Sequence, residues 1–153
     1  MNDFTALLPH SGTAIMLEEL VSWDAREIRA RTHTHRSPEN PLRSAGRLAA
    51  VHLVEYGAQA MAAHGALRAR AAGDEPLSAL LVSVRQFESA CDFIDDLDGA
   101  LEIVARELLS SPTGWQYEFE AWHGTQCVAR GRVAALAFPL PDAQAAAGSS
   151  GPA

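Results

Sequence analysis

The chain has 153 residues and a mass of 16.3 kDa, the material of one domain. All 12 basic residues are arginine, which excludes Schiff-base, Walker-type and general-base lysine chemistry. A net charge of −7 and a pI near 5.3 argue against a nucleic-acid binder, which needs a basic face.

The N-terminal stretch MNDFTALLPH has neither a basic region nor a long apolar run, so it does not read as a signal peptide. Ala14 to Trp23 then reads as a strand. Asp24-Ala25 signals a tight turn, and Arg26 to His35 alternates as a half-buried strand that closes a hairpin. Pro38 and Pro41 forbid a further strand, and a loop runs to about Gly46. Arg47 to Ala72 is the strongest signal, a helix predicted to be about 39 Å long at 1.5 Å per residue. Gly73 stops it, and Arg68 and Arg70 suit the negative end of its dipole. Its circumference is almost wholly apolar, the mark of a buried helix. The run from Leu48 to Leu67 is still no membrane span, since His52, Glu55, Gln59 and His64 interrupt it.

Four strand-like runs follow, Leu77–Glu88, Leu101–Ser110, Trp115–Trp122 and Gln126–Phe138. The acidic run Asp92, Asp95, Asp96 and Asp98 in the first connection reads as a solvated loop. Residues 1–138 form the domain, and 139–153 read as a disordered Pro/Ala/Gly/Ser tail. The order of elements is α+β: one long helix wrapped by an antiparallel sheet. A sheet of this size leaves part of the helix and an edge strand uncovered, and a second copy is the natural cover, so a dimer is expected. Cys91 and Cys127 are too isolated for a redox or zinc motif; they read as reduced thiols, which points to a cytoplasmic location.

His52, Glu55 and Gln59 lie within about 60° of one another on the helix, a narrow polar stripe on an apolar cylinder. The stripe has two readings. It is a carboxylate in a dry cleft with Gln59 orienting it, or a solvent stripe in which His52 and Glu55 form an exposed pair. His64 sits about 120° away and reads as a packed or dimer-contact residue. His10 falls in an irregular loop, His33 and His35 read as exposed on the second strand, and His123 falls in a hairpin turn. No spacing suggests a metal, no nucleophile elbow occurs, and no cofactor is implied. Six arginines between Arg26 and Arg47 face only Glu27 and Glu39, a local charge of +4. That window reads either as a strand's solvated face or as a dock for an acidic partner or a phosphate-bearing ligand, through Arg43 and Arg47.

The element order, Leu8-Pro9-His10, Asn40-Pro41, Gly46-Arg47-Leu48 and Glu55-Tyr56-Gly57-Ala58-Gln59 together resemble the hot-dog fold 3-hydroxyacyl-(acyl-carrier-protein) dehydratases. The likeness spans residues 5–137 and is nearest to the branch of aryl-polyene and xanthomonadin-type pigment pathways. It implies dehydration of 3-hydroxyacyl thioesters on acyl carrier protein, Glu55 as the acid and Gln59 beside it. Fatty-acid dehydratases carry a histidine in a G-H-F-P loop before the helix, whereas residues 38–46 here contain none. The base must then be His10, His52 or a histidine from another subunit, with His10 slightly preferred. Gly46 would let the thioester carbonyl approach helix N–H groups closely. Two other readings stay open: a hot-dog thioesterase, and a non-catalytic subunit that completes another hot-dog protein's site.

Overall fold

In the computed structural model, residues 4–8, 14–75 and 78–138 are described. His10 and the tail 139–153 lie outside the described residues. Six strands form one antiparallel sheet: β1 (Glu19–Trp23), β2 (Glu27–Thr32), β3 (Ser78–Ser89), β4 (Leu101–Ser111), β5 (Gly114–His123) and β6 (Gln126–Phe138). Their spatial order is β1-β2-β4-β5-β6-β3. The helix α1 (Leu53–Ala71) crosses the inner face, which makes the expected hot-dog arrangement. No helix among the described residues is long and apolar enough to cross a membrane.

The helix lies close to the sheet because Gly57 has no side chain. A Cβ there would stand 2.5 Å from Phe119 Cγ, and Gly131 on β6 makes room for the other end of the same ring. Ile28, Leu53, Tyr56, Ile103 and Phe119 are fully buried between the two layers. The cover is incomplete. Val51 at the helix entry is 54% exposed, and Leu81 and Val84 on edge strand β3 are 38% and 41% exposed.

Three element boundaries differ from the sequence reading, each because a tertiary contact captures backbone groups. The helix starts at Leu53 rather than Arg47. Before it, Ala49 is extended and residues 50–52 make a 3-10 turn. Asp95 takes the Leu48 N–H at 2.9 Å, the Asp92 carbonyl takes the Ala50 N–H at 2.8 Å, and Ile94 N–H donates to the Leu48 carbonyl at 2.9 Å. The acidic run is therefore a brace for the helix entry as well as a surface loop. The first strand starts at Glu19 rather than Ala14, because Gln59 and the hydroxyls of Thr32 and Thr34 bond the backbone of Ala14 and Met16. The second strand stops at Thr32, and a 3-10 turn over Thr34–Arg36 swings His35 inward. His35 is fully buried, not exposed, and shares a 2.9 Å hydrogen bond with the Leu97 carbonyl.

Candidate active site

The polar stripe survives in the fold. His52 is the residue before α1, half-buried, with no capping bond from its side chain. Glu55 stands in the first turn, also half-buried, and Gln59 one turn later is 1% exposed. Gln59 Oε1 accepts the Met16 N–H at 2.8 Å. Its Nε2 donates to the Ala14 carbonyl at 2.8 Å and to Glu55 Oε2 at 2.9 Å. One N–H and two acceptors surround the amide, so only one orientation of it satisfies all three partners. Gln59 thus ties the leader segment to the helix and aims the Glu55 carboxylate.

The loop before the helix is a built wall. Ser44 and Arg47 exchange backbone hydrogen bonds of 2.8 and 3.0 Å around Ala45 (φ 52°) and Gly46 (φ 76°). Two successive positive φ values define a tight turn of the primed type, and Gly46 occupies its second place without strain. Arg43 donates to the carbonyls of Ser37 (2.7 Å), Gly46 (2.8 Å) and His35 (3.3 Å). Arg47 lies on both oxygens of Asp95 at 3.0–3.1 Å and 4.1 Å above the Phe93 ring. Both candidate ligand-binding arginines therefore shape the loop through bonds inside the chain.

The basic window is largely neutralised in three dimensions. Arg29 pairs with Glu27 and Glu102, Arg31 with Glu19 and Glu102, and Arg36 with Asp98. These pairs are mostly solvent-exposed, so they settle charge more than stability. A cleft of about 580 Å³ on the outer sheet face is lined by Arg29, Arg31, Glu102, Arg106, Glu120 and Trp122, away from Glu55. Mixed charge and distance from the stripe make it a surface groove rather than part of this site.

Sequence reasoning missed the polar network behind the stripe. Asn40 is 6% exposed; its amide donates to the Thr34 carbonyl at 2.9 Å and to the Tyr56 hydroxyl at 3.1 Å. Tyr56 also meets the Thr34 hydroxyl at 2.9 Å, and burial pushes its phenol pKa up. Asp95 carries the opposite shift, held low first by the Leu48 N–H and then by Arg47. The only available signal was an asparagine wedged between the prolines and a tyrosine beside the glutamate. At the far end of α1, His64 is fully buried, 2.5 Å from the Tyr117 hydroxyl and 2.7 Å from the Asp24 carbonyl. A carbonyl only accepts, so Nε2 carries the proton and Nδ1 accepts from Tyr117. This histidine is a packed core residue, and burial lowers its pKa.

The profile of the ApeP-like family, described as ApeP dehydratase, matches residues 2–147. The chain belongs to the ApeP-like dehydratase family. Among solved structures, this ApeP-like chain is similar to the dehydratase heterocomplex ApeI:P from Xenorhabdus doucetiae. The TM-score is 0.82 at 16% identity, covering 93% of each chain. It is also similar to AziG of S. sahachiroi, with a TM-score of 0.53, 20% identity, and 80% and 91% of the two chains covered. A thioesterase from Haemophilus influenzae matches with a TM-score of 0.53 at 12% identity, covering 80% and 79%. At such identities the structural likenesses establish the hot-dog fold alone. A search of curated proteins finds no match.

Proposed function

We propose that this ApeP-like protein removes water from 3-hydroxyacyl thioesters carried on acyl carrier protein, in fatty-acid-like or aryl-polyene assembly. The carrying observation is the Glu55 carboxyl group, half-buried in the first turn of α1 and aimed by a buried Gln59 amide 2.9 Å away. The reaction needs a base to take the α-proton, an acid to protonate the departing β-hydroxyl, and donors for the thioester oxygen. Glu55 supplies the proton to the hydroxyl, which leaves as water. His52, one turn back on the same stripe, or His10 takes the α-proton. The 3-10 turn presents Val51 at the surface, and its N–H would donate to the thioester oxygen. Gly46 keeps the approach clear, while Arg43 and Arg47 hold the loop that the pantetheine arm must pass. A second hot-dog chain, added along the edge of β3, would cover Val51, Leu81 and Val84 and dry the cleft. The reduced thiols accord with cytoplasmic work.

The absence of a histidine between Pro38 and Gly46 favours one further reading, a subunit that completes the site of another hot-dog protein. Incubation with a 3-hydroxyacyl thioester separates the outcomes. Enoyl thioester formed by the protein alone supports the dehydratase. Enoyl product only after a second hot-dog protein is added supports the completing subunit. Free thiol without enoyl product would make it a thioesterase and overturn both.

A further inference from the structure

Met16 is buried and held at both polar atoms of its own backbone. Its N–H donates to Gln59 Oε1 at 2.8 Å. Its carbonyl accepts from the hydroxyls of Thr32 and Thr34, the latter at 2.6 Å. Thr34 Oγ1 in turn lies 2.9 Å from the Tyr56 hydroxyl. Tyr56 and Gln59 stand three residues apart on α1, and Tyr56 follows Glu55 directly. The contacts therefore close a ring: Glu55, Gln59, Met16, Thr34, Tyr56, and back to Glu55 through the helix backbone.

The direction of the hydrogen bonds in that ring is fixed. A carbonyl only accepts, so Thr34 directs its one hydroxyl proton to Met16, and the Tyr56 hydroxyl must donate to Thr34. Burial raises the pKa of Tyr56, so the phenol keeps the proton it donates. Asn40 Nδ2 donates to the phenol oxygen at 3.1 Å and to the Thr34 carbonyl at 2.9 Å, while Asn40 Oδ1 accepts the Leu42 N–H at 2.9 Å. A flipped amide would satisfy neither the carbonyl nor the N–H. One line of donors thus runs from Asn40 through Tyr56 and Thr34 to Met16, and from Met16 through Gln59 to Glu55.

We propose that Tyr56 and Asn40 are positioning residues for the Glu55 carboxyl: through Thr34 and Met16 they fix the Gln59 amide that aims it. Its effect on rate rests on the dehydratase reading, which it extends from the Glu55–Gln59 pair to the segment between β2 and α1. Asn40 also holds Leu42, so the loop ahead of the helix and the acid on the helix are tied together. Both residues are buried, and they reach the carboxyl through the ring rather than by touching substrate.

Tyr56→Phe tests it, since it keeps the ring that fills the core and removes only the hydroxyl. With any required hot-dog partner present, kcat for enoyl formation should fall about three- to tenfold while KM stays within about twofold, a partial loss of aim. Thr34→Val should lose rate in the same way, and Thr34→Ser, which keeps the hydroxyl, should restore most of it. Added to Gln59→Leu, Tyr56→Phe should lower kcat no further, because both act through one amide, whereas independent sites multiply. A second readout needs no turnover. In side-chain amide NMR spectra the Gln59 protons should exchange with water about tenfold faster in Tyr56→Phe than in wild type, with circular dichroism unchanged. An unchanged kcat in the folded Tyr56→Phe protein overturns the proposal, as does a multiplied loss in the double variant or an unchanged Gln59 exchange rate. A wild type that forms no enoyl product would instead remove the dehydratase reading, and Gln59 exchange would then decide whether Tyr56 holds the amide.

Discussion

Replacing Gln59 with leucine keeps its volume and removes its hydrogen bonds. Three partners lose their bond: the Met16 N–H, the Ala14 carbonyl and the Glu55 carboxylate. Met16 is 1% exposed, so water cannot replace the acceptor, and an orphaned buried donor costs about 1–3 kcal/mol. Ala14 is half-buried, and its lost bond adds about 0.5–1.5 kcal/mol. The sum is roughly 2–4 kcal/mol, which for a chain of this size lowers Tm by roughly 4–16 °C. Urea and thermal unfolding measure it directly. The Gln59→Leu variant should in addition lower kcat more than it raises KM, because Glu55 loses its aim while the loop wall of Arg43 and Arg47 is untouched. A Gln59→Leu protein within about 0.5 kcal/mol of wild type would refute the latch, since that is the range of ordinary surface substitutions.

Two glycines in α1 should respond with opposite signs. Gly57→Ala puts a methyl group 2.5 Å from Phe119 and should cost about 1–3 kcal/mol, whereas Gly65→Ala meets nothing within 4 Å and should gain about 0.5–1 kcal/mol; matched denaturant curves check both. Acid should weaken the fold through His35 and His64, whose pKa values burial lowers below the ordinary 6.5. The unfolded chain then takes up protons that the folded one refuses, so this stability is complete above pH 6.5 and lost as pH falls below it. Urea midpoints at neutral and mildly acidic pH should show a shallower loss in His64→Gln than in wild type, and an equal slope would remove His64 from the account.

The fold was legible where one periodicity ran without interference. The strands from β3 to β6 fall within about two residues of their expected ends, because alternation and turn residues act locally. Boundaries failed where a distant group claimed the backbone. Nothing near Leu48 announces that Asp95 will take its N–H, and nothing near Ala14 announces Gln59. The Glu55–Gln59 pair was legible because i and i+4 share a helix face. The Asn40–Tyr56–Thr34 network was not, since its members lie on three separate elements. The basic window misled for the same reason. Arg29 and Arg31 find Glu102 across a strand pairing more than 70 residues away, so charge counted along the chain differs from charge at the surface.

The most direct test of the central claim is turnover of a 3-hydroxyacyl thioester by Glu55→Gln beside wild type, with any required hot-dog partner present in both. The glutamine keeps an oxygen for the Gln59 amide, so Tm should hold while the proton donor is gone. The account predicts enoyl formation lower by roughly 10²–10⁴, the usual worth of general acid–base catalysis. Full activity in a folded Glu55→Gln protein would contradict it, and would leave the chain as the subunit that completes another protein's site.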